Sequence, residues 1–238
     1  MLGILALVTS LVGPQPADTV RDGHELVAAM HSRYQGSWYR SLTFVQRVVW
    51  GDGRPEGEWW EAMIIPGQLR IDIAPVDSGN GIVYRGDSLY RFNRKAVQAS
   101  KGANPLLILG FDVYGQAPGT TAKVLGEQGF DLSQLRTDTW QGRPTYVVGG
   151  PDHQFWIDRE RLLFVRLINK TPSGATSEIQ FNRYQRLGGG WIAPEVVFMT
   201  DGKETMREIY RDMKADPTID PSIFEPRPWR RPAWIPEA

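Results

Sequence analysis

The sequence predicts a mainly β protein of the α+β class: a large antiparallel sheet curled into an incomplete barrel, with an N-terminal helix and further helices inserted near its middle. Three observations lead there. From residue 38 onward, runs of about five to ten residues rich in Val, Ile, Thr, Tyr, Phe and Trp alternate with Gly, Asp, Asn and Pro turns. Helical spacing is confined to a few short stretches. Several strand runs are apolar on both faces, and such a sheet needs cover on each.

With 238 residues, 41% of them hydrophobic, the chain can bury a sizeable core without a covalent staple. Lys plus Arg number 27, as do Asp plus Glu, so there is no basic surplus to hold nucleic acid or an anionic membrane. The absence of cysteine excludes disulfides, thiolate metal sites, a Cys nucleophile and the acylated Cys of a bacterial lipoprotein. The apolar run 2–12, ended by Gly13, Pro14 and Pro16, is too short to span a bilayer. It reads as the core of a signal peptide over 1–17, with a buried first strand as the alternative. A single folded domain over 18–228 and a Pro/Trp-rich tail over 229–238 follow.

The first element is a helix. Asp22 is placed to cap it, and Leu26, Ala29, Met30 and Tyr34 recur near helical spacing. Strand runs follow at 39–50, 58–65, 69–74, 82–85 and 88–92, with a weaker one near 96–100. The turns between them include Gly51-Asp52-Gly53, Pro66-Gly67 and Gly86-Asp87, short enough to make a meander of antiparallel neighbours. Asn104 and Pro105 read as N-cap and first residue of a helix that is apolar nearly all round, from Leu106 to Tyr114, and so must be buried. A second, weaker helical stretch covers 120–128. A second set of runs occupies 135–140, 145–149, 154–157, 162–169, 176–187, 191–200 and 203–213. No composition break divides the halves, which favours one continuous sheet.

The two-faced runs carry the argument for curling. In 162–168 one face holds Leu162, Phe164 and Ile168, and the other Leu163, Val165 and Leu167. In 58–65, Trp60, Ala62 and Ile64 point one way; Trp59, Met63 and Ile65 point the other, with Glu61 the only charged member of that face. A few helices cannot cover both sides of roughly a dozen strands, so the sheet must wrap around them. The residues alone leave two readings of the interior, a cavity for an apolar ligand or a solid core.

The order of short motifs resembles the bacterial outer-membrane lipoprotein carrier family (LolA/LolB-like). Leu42-Thr43-Phe44-Val45-Gln46-Arg47-Val48 is similar to the family's opening strand, followed by Gly57, Trp60 and Pro66-Gly67-Gln68-Leu69-Arg70-Ile71. Tyr84-Arg85-Gly86-Asp87-Ser88-Leu89-Tyr90-Arg91-Phe92-Asn93 resembles a family hairpin, Asn104-Pro105-Leu106-Leu107 the start of its lid helix, and Asp220-Pro221-Ser222-Ile223-Phe224-Glu225-Pro226 its closing segment. The resemblance implies an incomplete barrel of about eleven strands, a helical lid across its mouth, and a hydrophobic interior that shields acyl chains in the periplasm. Its implied partners are acyl chains of lipids or lipoproteins, an inner-membrane transporter and an outer-membrane acceptor, for a monomer without cofactor or metal. The family's lid latch is an Arg just before the Pro, where this chain has Ile65. By carry-over, Leu69, Ile71 and Ile73 face the interior, and Leu106, Leu107 and Leu109 belong to the lid; Trp60, Tyr84, Tyr90 and Phe92 are adjacent wall candidates. Ordinary core packing is the alternative for each. A lipid-sensing module of envelope-stress signalling is the alternative for the whole.

Catalytic readings are weaker. Gly86-Asp87-Ser88-Leu89 spells the motif of a serine-hydrolase family, yet no His follows His153 and the string sits in a turn between two strands. His24, His31 and His153 lack metal-ligand spacing. Glu58 and Glu61 with Asp72 could form a glycosidase-like carboxylate pair, though charged residues on strands are more often solvated. Gly188-Gly189-Gly190 precedes no helix and is no phosphate loop. The stretch 229–234 (WRRPAW) reads as a loose terminus or a partner-docking tail.

Overall fold

A computed structural model describes residues 20–226 and 228–236; the signal-peptide run at 2–12 lies outside the described residues. The described residues form three α-helices: α1 (Gly23–Tyr34), α2 (Pro105–Gly110) and α3 (Pro118–Glu127). The first set of strands is β1 (Ser41–Trp50), β2 (Gly57–Ile64), β3 (Gln68–Ile73), β4 (Asn80–Arg85), β5 (Ser88–Asn93) and β6 (Ala96–Lys101). The second is β7 (Leu135–Trp140), β8 (Arg143–Gly150), β9 (His153–Asp158), β10 (Leu163–Lys170), β11 (Thr176–Asn182), β14 (Glu195–Thr200) and β15 (Lys203–Ala215). A separate hairpin is made by β12 (Gln185–Leu187) and β13 (Gly190–Ile192).

The large sheet has thirteen strands in the order β6-β5-β4-β3-β2-β1-β15-β14-β11-β10-β9-β8-β7. It is the curled antiparallel sheet expected, two strands larger than the resemblance implied, and it does not close. The two halves join at its centre, where β1 runs antiparallel to β15 from Leu42 opposite Ala215 to Trp50 opposite Met206. The free edges, β6 and β7, are therefore consecutive in the chain, and the segment between them carries α2 and α3. A link from one edge of a curled sheet to the other must cross its open side, so the topology puts the inserted helices over the mouth. Two long strand runs each split in two. Arg183 adopts a left-handed conformation (φ 62°) after β11, and Pro194, which cannot donate a ladder hydrogen bond, separates β13 from β14.

Helix α1 begins where expected, with the Asp22 carboxylate accepting from the backbone N–H of Glu25 at 2.8 Å. Its Leu26, Val27 and Met30 are fully buried on the concave side of the sheet, and it packs against α3 and the 3-10 turn at 112–114. Trp38, just beyond α1, stacks on Tyr114 with ring centroids 3.8 Å apart. The Tyr114 hydroxyl donates to the Leu162 carbonyl at 3.3 Å, which ties the end of the lid segment to the start of β10.

The convex face is covered in part by the C-terminal segment. Phe224 (1% exposed) fills a cluster with Ala62, Val83 and Phe92, and Trp229 and Trp234 pack around it. Beneath it, Arg70 and Asp72 form a two-pronged ion pair at 2.7 and 2.8 Å. Arg70 also donates to the Ile223 and Arg230 carbonyls at 2.7 and 2.8 Å. The described part of the tail is thus a strap held to the sheet by a buried guanidinium whose donors are used on both sides of the contact.

Candidate ligand cavity and its lid

The site lies between α2 and the concave face of β2, β3, β11, β14 and β15. Asn104 caps α2, its side chain accepting from Leu106 N–H at 3.0 Å, and Pro105 fixes the first turn, as the residue pattern requires. Leu107, Ile108 and Leu109 are buried beneath the helix. Gly110 allows close contact with the sheet: a Cβ there would lie 3.2 Å from the Phe181 ring. The cavity left under the helix is about 70 Å³. Leu69 and Ile71 form part of one wall, Phe198 and Tyr210 of another, and Leu106 and Leu107 the roof.

The lid is tied down by a different device from the Arg latch of the resemblance. Asp112, 3% exposed and just past α2, accepts from the backbone N–H of Gly67 in the β2–β3 turn at 3.0 Å. Burial raises its pKa to about 7 against the lowering effect of that hydrogen bond. Ile65 stands on the same turn, its Cγ2 3.3 Å from the position a Cβ on Gly115 would take, so this side chain contributes apolar contact to the lid.

The cavity also has a polar floor. Glu61 (4% exposed) from β2 and Glu208 (8%) from β15 both line it. The Tyr210 hydroxyl donates to Glu208 at 3.3 Å. Burial pushes the Glu208 carboxyl up to about 8, and burial together with the Glu208 charge holds Glu61 well above the usual carboxylate range. Gln46 of β1 pairs with Trp59 on one side and Tyr210 on the other, which sets it on the same face; it is 1% exposed. Its amide sits close enough to Glu208 to act against the rise in that carboxyl's pKa, although no contact reaches ordinary hydrogen-bond geometry.

Of the residues expected to form the site, Leu69, Ile71, Leu106 and Leu107 line the cavity. Leu109, Ile73 and Tyr84 lie in the same concave core without lining it. Trp60, Tyr90 and Phe92 face the other way and are a correction to the sequence reading: they pack under the C-terminal strap, Trp60 with its ring 5.6 Å from that of Trp234. Strand parity is the reason. Trp59 and Glu61 pair with Ile73 and Ile71, so Trp60 between them points outward; Tyr84 pairs with Leu89, so Tyr90 is outward too. Parity within 58–65 could have sorted Trp60, since Glu61 and Met63 share one face in the sequence; Phe181 and Phe198 carry no such local signal.

The catalytic alternatives lose their geometry. Among the described residues the hydrogen-bond partner of Ser88 Oγ is its neighbour Asp87, at 3.1 Å, where the tight turn after β4 enters β5. Glu58 pairs with Arg211 at 2.6 Å and Asp72 with Arg70, both away from Glu61, so the carboxylates suggested for a glycosidase are not brought together. Among the described residues no cluster of three His, Cys, Asp or Glu could hold a metal. None of the described helices is long and apolar enough to cross a membrane.

A large antiparallel sheet curled over a helical lid, with a cavity between the two, is the architecture of this chain. Its fold is LolA-like. An outer membrane lipoprotein-sorting protein domain, so described, from Vibrio parahaemolyticus superposes with a TM-score of 0.60 at 12% identity, over 85% of this chain and 96% of that one. A LolA superfamily protein from Nitrosomonas europaea gives 0.54 at 14% identity, over 86% and 98%. A DUF1329 family protein from Desulfovibrio piger gives 0.57 at 13%, over 85% and 95%. No family model and no curated protein matches the sequence.

Proposed function

We propose that this chain is a non-enzymatic, exported binding or carrier protein that shields the acyl chain of a lipid or lipoprotein in the periplasm. The observation that supports this most is the lid: α2 closes an apolar-walled cavity on the concave side of a LolA-like sheet, held at its far end by the Asp112–Gly67 and Tyr114–Leu162 hydrogen bonds. A cavity of about 70 Å³ is too small for a long acyl chain, since ligand pockets run to ~300–1,000 Å³. Loading therefore requires α2 to swing away, exposing Leu106, Leu107 and the concave face of β3 to the chain. Each buried CH₂ contributes ~0.8 kcal/mol, so a long acyl chain offsets the undocking of one short helix. An inner-membrane transporter that loads the cavity and an outer-membrane acceptor that empties it belong to this reading.

The test is native mass spectrometry of the protein from its own envelope, with displacement of a fluorescent fatty acid in solution. Co-purified lipid and displacement that survives high salt are expected, because burial of apolar area is not screened. Absence of lipid in both measurements sinks the reading and leaves a module whose interior is filled by its own lid. A fluorophosphonate probe is expected to leave Ser88 unlabelled.

A further inference from the structure

The floor of the cavity does not suit a purely hydrocarbon guest. Glu61 and Glu208 both line it, and no Lys or Arg does. The Glu61 carboxyl makes no hydrogen bond among the described residues, and its electrostatic neighbours are Glu208 and the Tyr84 and Tyr210 phenols. A buried carboxyl without a partner costs several kcal/mol, and a second beside it adds repulsion. Gln46, on the same face and next to Tyr210, is buried beside Glu208, its amide oxygen without a hydrogen-bond partner among the described residues. Apolar residues of similar size at these positions would remove that cost, so the sheet carries an unmet demand for hydrogen-bond donors and positive charge at one spot.

A primary ammonium meets that demand. Its N–H donors match the carboxylates of Glu61 and Glu208 and the amide oxygen of Gln46, and its alkyl chain can run along Leu69 and Ile71 toward the lid. A fatty-acid carboxylate placed there would add to the cost of ionising either carboxyl, where an ammonium offsets it. We propose that Glu61, Glu208 and Gln46 form a headgroup subsite for a primary amine, so that the ligand class is an amphiphile carrying an ammonium on an apolar chain. The inference rests on the acyl-chain reading of the same cavity and narrows it. The ammonium could be the end of a single-chain amine or the headgroup of an aminophospholipid; a phosphate close behind the nitrogen would meet the same carboxylates, which favours the simple amine.

Binding is coupled to protons. The groups facing the pair are Tyr210 on β15, Gln46 on β1, Tyr84 on β4 and Asn104 at the lid, none of them cationic. In the empty cavity burial keeps protons on the carboxyls, and an ammonium displaces them. Affinity for the amine therefore rises with pH, by up to about tenfold per unit between roughly pH 6 and pH 8 for each proton displaced.

The experiment is isothermal titration of the full chain with dodecylamine, dodecanol, laurate and a lauroyl lysophosphatidylethanolamine, each below its micellar concentration. Dodecylamine is expected to bind at least about tenfold tighter than dodecanol and more so than laurate, a difference of ~1.4 kcal/mol or more. Its preference should collapse toward unity in Glu61→Gln and Glu208→Gln. The wild-type pH dependence needs no variant and keeps the proposal exposed if either substitution misfolds. Tighter binding of the lysolipid than of dodecylamine would assign the site to the aminophospholipid source. If dodecanol and laurate bind as well as the amine, or the amine's affinity is flat with pH, the subsite is overturned while the carrier reading stands. If none binds, both fall.

Discussion

Asp112, Glu61 and Glu208 are three carboxyls buried against an apolar lid and wall, and each has its pKa raised, Asp112 to about 7 and Glu208 to about 8. The sign follows from linkage. A carboxyl whose folded pKa lies above its unfolded value binds more protons in the folded state, so stability falls as pH climbs from the unfolded value near 4 to the folded value and levels off above it. The closed protein is accordingly expected to be more stable at pH 5 than at pH 8. Asp112→Asn, which keeps an oxygen to accept from Gly67, should raise the Tm at pH 8 more than at pH 5, by a few degrees; thermal denaturation at both values checks it. An equal shift at the two pH values would mean that Asp112 does not titrate in this window. Asp158 contrasts with these groups: it is buried too, but Arg143 and Arg161 donate to it and its pKa is lowered. Partnership decides the direction.

At the scale of elements, the glycine run 188–190 turns out to be a packing device. It joins β12 to β13, and a Cβ on Gly189 would fall 1.7 Å from the Ser37 carbonyl oxygen, on backbone that cannot yield. A Cβ on Gly190 would lie 2.8 Å from the Trp38 ring. This hairpin therefore presses on the loop that leaves α1. Gly189→Ala is expected to cost on the order of 2–4 kcal/mol by overpacking, measured by urea denaturation, whereas Gly202→Ala, with open space around its Cβ, should cost less. Gly202 has φ 77°, so its cost is backbone strain alone. Equal losses would remove the close contact from the account. The helix starts at Asp22 and Asn104 were legible because capping is local chemistry, and so were most strands of the meander. The splits at Arg183 and Pro194 were less so, since a strand run reads through a bend that tertiary pairing imposes.

For the molecule as a whole, the weakest attachment is the lid. One six-residue helix, a hydrogen bond at Asp112 and the Tyr114 anchor hold it, while β1 and β15 share a ladder of eight pairs at the middle of the sheet. Amides of α2 are expected to exchange with solvent through local opening at a lower free energy than those of β1 and β15. Uniform protection across lid and sheet would argue for a solid, static core.

The sequence alone determined what depends on neighbours along the chain: the strand alternation, the turns, the caps, the apolar lid, and the need for a sheet covered on both sides. From these the curled sheet and the lid residues Leu106 and Leu107 followed. The tertiary structure decided what depends on register and closure. It assigned Trp60, Tyr90 and Phe92 to the outer face under the C-terminal strap, because a period of two leaves the choice of face to pairing. It brought Glu61 and Glu208, far apart in sequence, to one floor, because β15 returns to the centre of the sheet two strands from β2. Local patterns carry no information about which distant strand comes home to which neighbour, and the polar floor exists only through that return.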